Sequence, residues 1–461
     1  MLDNQIFLVY LHPKIDLTKT MSKYRPRIAD KILAESLEAL GGVLVQGTKW
    51  CGKTTTSVQH AGSVLYMDDP DAKEQNLAIA QTNIKRLLQG DTPRVIDEWE
   101  LAPQLWDAAR FEIDHRPVHI GQFIFTGSAV PKDKDKAKIF HSGAGRFDWI
   151  TMRTMSLWES GDSTGEVSLA RLFEGDMPDG ESRIDMDRLA FLTCRGGWPG
   201  ALSLNDQASL RVSRAYLKAV LNSDISKVDD VKRDPVLMSR IIKSLARNQG
   251  EQIPITTIRA DILLNEKATI STDTIDEYVK VLKKIFLEED MPAWNPNLRS
   301  KTAIRTSDTR YFVDPSIATA ALGIGPEDLI NNLIDFGFYF ECLAVRDLRV
   351  YADALDGQLY HFRDKNGLEC DAVLHRNNGE YGLIEIKIGG EDNINKGAKT
   401  LKTLAGKIDT EKMKAPSFLM VLTGIGNYAY KRPEDGVLVV PIGCLKDKGI
   451  YGKLRNNTRC R

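Results

Sequence analysis

The chain has 461 residues, of which 42% are hydrophobic and 27% charged, and its net charge is −1. That length exceeds what one ordinary core serves, so two or three domains are expected. Near-neutrality excludes nucleic-acid affinity through bulk charge, six scattered cysteines with no CxxC pair argue against a zinc site or disulfide framework and for a reducing cytoplasm, and no apolar run approaches the ~20 residues of a membrane span.

The apolar run IFLVYL (6–11) is too short for a signal-peptide core and follows an Asp rather than a basic cluster. Residues 1–20 read as an upstream extension or a disordered leader, with the folded part starting at MSKYRPRIADKIL from Met21. VLVQGTKWCGKTTTS (43–57) follows a strand-like apolar run and satisfies G-x-x-x-x-G-K-[ST]. Gly47, Thr48, Gly52, Lys53, Thr54 and Thr55 then form a phosphate cradle. Glycines admit backbone N–H groups to phosphates, and the following helix N-terminus favours negative charge. Lys53 reaches the β- and γ-phosphates, and the Thr54 hydroxyl joins a Mg²⁺ shell.

RVIDEWE (94–100) ends a short strand on Asp97 and Glu98, an acidic pair suited to holding Mg²⁺ and orienting an attacking water. FIFTGS reads as a further buried strand that brings Thr126 or Ser128 to the same edge of a parallel sheet. Arg146, in GAGRFD, is a candidate charge stabiliser from this subunit or a neighbour; a solvated surface arginine is the plain alternative.

Taken together, GTKWCGKTT, VIDEWELAPQLWDAARFEID, FIFTGSA, GRFDWITMRTMSLWE and GGWPGAL resemble the prokaryotic AAA-like ATPases that carry a C-terminal DUF4143-type domain, over about residues 24–410. The resemblance implies ATP as substrate, Mg²⁺ as cofactor, and roles in hydrolysis for Asp97, Glu98, Ser128 and Arg146. It makes Gly196-Gly197-Trp198-Pro199 a nucleotide-sensing turn, where the residues alone give only a tight turn at a domain junction. Trp50 and Cys51 depart from the usual loop, at positions whose side chains point away from phosphate.

From about 205 to 320 the periodicity is helical, with amphipathic stretches in ASLRVSRAYLKAVLNSDISKV, VLMSRIIKSLARNQG and STDTIDEYVKVLKKIFLEED. AWNPNLRSKTAIRTSDTRYFVDPSI reads as two short strands around a basic loop, a winged-helix-like arrangement. Arg299, Lys301, Arg305 and Arg310, with Lys280, Lys283 and Lys284, would lie on a phosphate backbone; a hairpin that packs between domains is the alternative, and no aromatic or Asn/Gln cluster is present to read bases.

Residues 329–351 read as a helix containing Glu341, and residues 357–390 as three strands separated by KNG and NNG turns. Glu341, Asp371 and Glu385-x-Lys387 in that order resemble the restriction-endonuclease-like fold and its PD-(D/E)xK site. Asp371 and Glu385, with Glu341, would bind a divalent cation, and Lys387 would orient the water it activates. Against this, E-x-K is common on amphipathic strands, and Glu369 shares a face with Asp371. A short helix and two buried strands follow, then a basic tail.

The expected fold class is thus α/β multidomain: a P-loop NTPase unit with a parallel sheet (21–200), a helical winged-helix-like module (201–322) and a nuclease-like α/β domain (323–461). Two functions follow. One is an ATPase that presents DNA or another nucleic acid to a cleaving C-terminal site; the other is an ATP-dependent switch whose C-terminal domain only binds or oligomerises. A homo-oligomer is compatible with both, and no membrane association is expected.

Overall fold

A computed structural model describes residues 24–128, 139–225, 231, 233–263 and 270–448. The leader (1–20), most of the basic tail and Cys460 lie outside the described residues.

The first unit is built on the strands β1 (Gly42–Gln46), β2 (Ser63–Tyr66), β3 (Arg94–Asp97), β4 (Phe123–Gly127) and β5 (Phe147–Thr151). All run parallel, in the order β2-β3-β4-β1-β5. Alternation along β1 explains the layering, because successive side chains face opposite sides. Val43 and Val45 pack against Leu33 and Leu37 of α1 (Ile28–Ala39), while Leu44 joins Phe123, Phe125 and Phe147 on the other face. On that second face α4 (Leu105–His115) inserts Trp106, whose ring stacks on Phe147 at 4.1 Å. Two shorter helices complete the unit, α2 (Lys53–Gln59) after β1 and α3 (Lys73–Thr82) after β2.

Helices at 186–195, 206–219, 235–247, 255–263, 272–284 and 315–322 make the middle of the chain, with the antiparallel pair β7 (Glu288–Met291) and β8 (Thr309–Phe312). The loop between these strands does not project as a free hairpin. It runs along the edge of the next sheet, bridging Ala293 to His361 and Ile304 to Asp364, and buries Trp294 against Phe362 and Tyr381. The Arg299 amide donates to the Lys407 carbonyl at 2.8 Å, and Arg310 faces Glu288; Lys301 and Arg305 stay exposed.

The last unit is a mixed sheet in the order β13-β14-β12-β11-β10-β9. Its strands are β9 (Gly357–Arg363), β10 (Glu369–Arg376), β11 (Tyr381–Lys387), β12 (Phe418–Thr423), β13 (Tyr430–Lys431) and β14 (Leu438–Pro441). β9, β10 and β11 form an antiparallel meander, and β11, β12 and β14 run parallel. The helix Leu333–Ala354 covers one face and Glu391–Lys407 the other, so β11 is buried on both sides. The regular I-E-I-K alternation therefore does not mark a half-exposed strand; Glu385 is 5% exposed. Two-residue strands β6 (Val167–Ser168) and β15 (Leu445–Lys446) pair with each other, tying the end of the described chain back to the segment that follows the first sheet.

Between the units lies a buried ion network. Arg346 sits 3.1 Å from Asp314 and 2.7 Å from Asp347, all three at most 2% exposed. Asp314 also accepts from the Gly197 amide (2.9 Å), the Thr154 hydroxyl (2.7 Å) and Ser316, and Asp347 accepts from the Leu157 amide. Burial works to raise both carboxyls, but Asp314 is held below its ordinary value by Arg346 and its four donors, whereas Asp347, with fewer, is pushed up to about 6. Removing a buried counter-ion leaves carboxylates without compensation, at a cost of about 3 kcal/mol or more. Arg346→Met should therefore lower the urea midpoint markedly with little change in slope, and a loss under ~1 kcal/mol would count against the network as the central joint.

Candidate functional site

The loop after β1 takes the shape its sequence demands. Gly47 has φ +146° and an added β-carbon would sit 2.1 Å from the Met152 carbonyl oxygen, so no other residue fits. Gly52 precedes α2 in the left-handed region (φ +102°). The buried Lys53 ammonium donates to the Thr48 carbonyl at 2.9 Å. Thr54 Oγ1 donates to Asp97 Oδ1 at 2.8 Å, and Thr126 donates to the same oxygen. Sequence-distant residues thus meet at the carboxyl edge of the sheet: Gly47, Thr48, Gly52, Lys53, Thr54, Thr55, Asp97, Glu98 and Thr126, with Ser128 next along β4.

A hydroxyl and a carboxylate 2.8 Å apart form a hard oxygen donor pair that fits Mg²⁺. Glu98 sits just past β3 at φ +53°, and burial, then the Asp97 charge, raise its pKa against the pull of Lys53. Glu100 was not singled out by the sequence. Its Oε1 accepts the Ser128 amide at 3.1 Å, and burial, then Glu98, push it up to about 8.

Arg146 does not reach this site within the chain. It precedes β5, and its carbonyl pairs with the Gly42 amide at the opposite edge of the sheet, roughly 13 Å or more from the loop at ~3.3 Å per residue. Its side chain pairs with Asp114 at 3.0 Å. The parallel direction of β5 is the reason. At the correct end of that strand stands Arg153, beside Gly47 and Thr48 in a cavity of about 210 Å³. Arg153 is already engaged, by Glu289 and Asp353 at 2.6 Å each.

Two further contacts brace the loop. Arg27 donates to the Cys51 carbonyl at 2.7 Å and pairs with Glu159, and the Thr48 hydroxyl meets Tyr216 Oη at 2.5 Å. Cys51 is buried while Trp50 is 58% exposed, with its ring 5.9 Å from Tyr216. In the GGWPG turn, Trp198 is fully buried and donates to Ser316, and the Gly197 carbonyl accepts from Met155 at 2.7 Å.

The second cluster gathers around Lys387. Its ammonium lies 2.8 Å from Asp371 on β10 and 2.8 Å from Glu385 two residues before it on β11. Asp371 stands at a register break between Cys370 and Val373, and also accepts the Ile386 amide at 2.7 Å. Burial works against the lysine charge, yet Asp371 and Glu385 outweigh it and hold the ammonium above the usual lysine range. Glu341 takes the Tyr311 hydroxyl at 2.5 Å, and burial, then Asp371, push it up to about 8. Gly250 approaches from the middle of the chain, where an added β-carbon would come within 2.8 Å of Glu341. Glu369 points elsewhere, to Arg363 at 2.9 Å.

All four residues that the sequence singled out here thus share one neighbourhood. Among the described residues, however, no group of three or more His, Cys, Asp or Glu is arranged to hold a metal ion. Lys387 occupies the position between the two carboxylates, so the donor set does not fit a divalent cation as it stands.

Residues 41–160 match the AAA domain family, residues 336–445 match the DUF4143 domain of unknown function, and residues 186–328 match a second domain of unknown function, DUF8612. The first match makes the parallel-sheet unit an AAA-type ATPase domain. No curated protein matches the chain. Among solved structures, a Walker-type ATPase of Pyrococcus abyssi is similar at 15% identity, covering 64% of this chain and 94% of that one, with a TM-score of 0.39. The Aeropyrum pernix ORC2 protein, solved as ADPNP-ADP complexes, is similar at 13% identity over 66% and 93% of the two chains, with a TM-score of 0.29. No helix among the described residues is long and apolar enough to cross a membrane.

A carboxyl whose pKa is raised in the fold is neutral there and ionised when unfolded, so stability is lost as pH rises from the unfolded value to the folded one. For Glu100 that window runs from about 4.5 to about 8. Glu100→Gln should raise the melting temperature by a few degrees at pH 8.5 and not at pH 4, in thermal scans at both pH values.

Proposed function

We propose that the protein binds and hydrolyses ATP at the loop of residues 47–55 and couples the nucleotide state to binding and cleavage of nucleic acid by its C-terminal domain. The observation that carries the first half is the convergence of Thr54 and Thr126 on Asp97, beside a buried Lys53 and a carboxyl at Glu98. Lys53 leaves the Thr48 carbonyl for the β- and γ-phosphates, and the loop amides take the remaining phosphate charge. Mg²⁺, held by Thr54 and Asp97, would supply charge compensation on the phosphates. Glu98, its basicity raised by burial, accepts the proton of the attacking water. Ser128 faces the γ-phosphate end. Arg146 serves only in a homo-oligomer, acting on a neighbouring copy's nucleotide.

In this reading the chain divides into an ATPase unit (21–200), a helical winged-helix-like module (201–322) and a nuclease-like domain (323–461). A helix, three antiparallel strands, a second helix and a parallel strand, with Asp371 and Glu385-x-Lys387 on adjacent strands, support the nuclease-like assignment. The winged-helix assignment has less support, because the loop between β7 and β8 packs along the next sheet through Trp294. The five cysteines among the described residues, all buried and free, suit a reducing cytoplasm.

The ion pairs of Lys387 favour a second reading, an ATP-dependent switch whose C-terminal domain binds without cutting. Cleavage would require the ammonium to leave its two carboxylates.

Lys53→Ala should reduce ATP turnover by about 10²-fold or more, and Glu98→Gln should lower turnover while nucleotide still binds; robust hydrolysis by Lys53→Ala would refute the assignment. Incubation with single- and double-stranded DNA, ATP, and Mg²⁺ or Mn²⁺ decides between the two readings. Cleavage lost in both Asp371→Ala and Lys387→Ala supports a nuclease, whereas intact ATPase without cleavage in the wild type supports the switch.

A further inference from the structure

Strands β11, β12 and β14 run parallel and end at one edge of the last sheet, where open α/β sheets place ligands. A crevice of about 670 Å³ opens at that edge, lined by Arg183, Gly390, Thr423, Asn427, Tyr428 and Tyr430 among others, a size that suits a small organic ligand. Thr423 is the registered neighbour of Lys387 across β11 and β12, so the crevice begins one strand spacing, about 4.8 Å, from the Lys387 cluster.

Two independent features point to an occupant. Thr423 is 1% exposed, lines the crevice, and its hydroxyl has no hydrogen-bond partner. A buried hydroxyl is costly unless something satisfies it. On the other wall Tyr428 is 61% exposed, its ring 5.7 Å from that of Tyr430. The backbone holds this tyrosine in place, since Glu181 bridges to Tyr428 and the Ala429 amide donates to the Gly180 carbonyl at 2.8 Å.

Charge narrows the chemistry. The helix Glu391–Lys407 starts at the crevice, but its first turn carries Glu391 and Asp392, which oppose an anion there. Asp185, also on the lining, caps its own helix by accepting the Arg188 amide at 2.8 Å. Among the described residues Arg183 is the one cation on the lining, against Asp185 there and Glu391 and Asp392 in the adjoining helix turn, so the balance is acidic and favours a neutral planar group with a polar edge over a phosphate.

We propose that this crevice binds one unpaired nucleobase, stacked on Tyr428 and hydrogen-bonded at its edge by Thr423, from a single strand passing the Lys387 cluster. The inference rests on the nucleic-acid reading above and does not require cleavage.

The test is a titration of the full-length protein against a fluorescein-labelled single-stranded DNA oligonucleotide, read by anisotropy, with thymidine and adenosine as competitors. Wild type is compared with Tyr428→Ala, Thr423→Val and Lys387→Ala. Base stacking on an aromatic ring predicts an affinity about tenfold weaker in Tyr428→Ala. Thr423→Val, which preserves shape, should weaken binding several-fold. No binding by the wild type, or equal affinity in wild type and both crevice variants, overturns the proposal. Displacement of the oligonucleotide by free nucleoside, lost in Tyr428→Ala, supports a base from the strand seated in the crevice, whereas Tyr428-independent displacement counts against it. Tyr428-dependent binding without any DNA cleavage upholds the crevice while the nuclease reading fails, and Lys387→Ala separates the two by losing cleavage and keeping the base.

Discussion

Arg346 is the only cation that Asp314 and Asp347 pair with among the described ion pairs, and it lies where three parts of the chain meet. A guanidinium buried in this way is favourable only if its fork is fully used, because desolvation opposes the charge. Here the fork is shared between two carboxylates, and the carboxylates in turn accept the amides of Gly197 and Leu157 from earlier in the chain. Asp314 caps the helix at 315–322, and Arg346 and Asp347 belong to the helix that covers the last sheet. The geometry of each unit is therefore set against the others through polar contacts that tolerate little displacement.

A second ionic layer runs beside the first and starts at the loop after β1. Arg153, beside Gly47 and Thr48, holds both Glu289 on β7 and Asp353 at the end of the long helix, and Arg349 on that helix donates to the Glu289 carbonyl. Burial opposes the Arg153 charge, but Asp353 and Glu289 outweigh it. One helix thus carries Glu341 towards the Lys387 cluster and Asp353 towards the phosphate loop. A rigid element touching both sites is the kind of physical link through which two sites influence one another.

The phosphate loop was legible in sequence because its chemistry requires glycines, a lysine and a hydroxyl at fixed local spacing. Asp371, Glu385 and Lys387 were legible for a similar reason, since strand alternation and a turn dictate which of them meet, whereas Glu341, on a helix, was reached only through the resemblance. What escaped detection depends on long-range contact: Thr48 and Tyr216 are 168 residues apart, and Arg27 grips the loop from 24 residues away. Arg146 is a different case. Its GR context draws attention, but FDWIT as a parallel strand puts Arg146 at the far edge from its own chain's loop and Arg153 beside that loop. The loop at 292–308 misleads in yet another way, because its basic residues advertise a free wing while Trp294, among them, is the residue that packs.

The pairing of β6 with β15 has a consequence for how the molecule is made. Val167 and Ser168 pair with Leu445 and Lys446, the Ser168 hydroxyl donates to the Asp447 carbonyl, and the Ser163 hydroxyl and the Ala170 amide likewise bond to carbonyls at Leu445 and Asp447. A ribosome that has produced Val167 and Ser168 must still add everything up to Leu445 and Lys446 before these groups can be satisfied. During that interval the segment around 163–170 presents an unpaired strand edge, which is the kind of surface that chaperones bind and other chains invade.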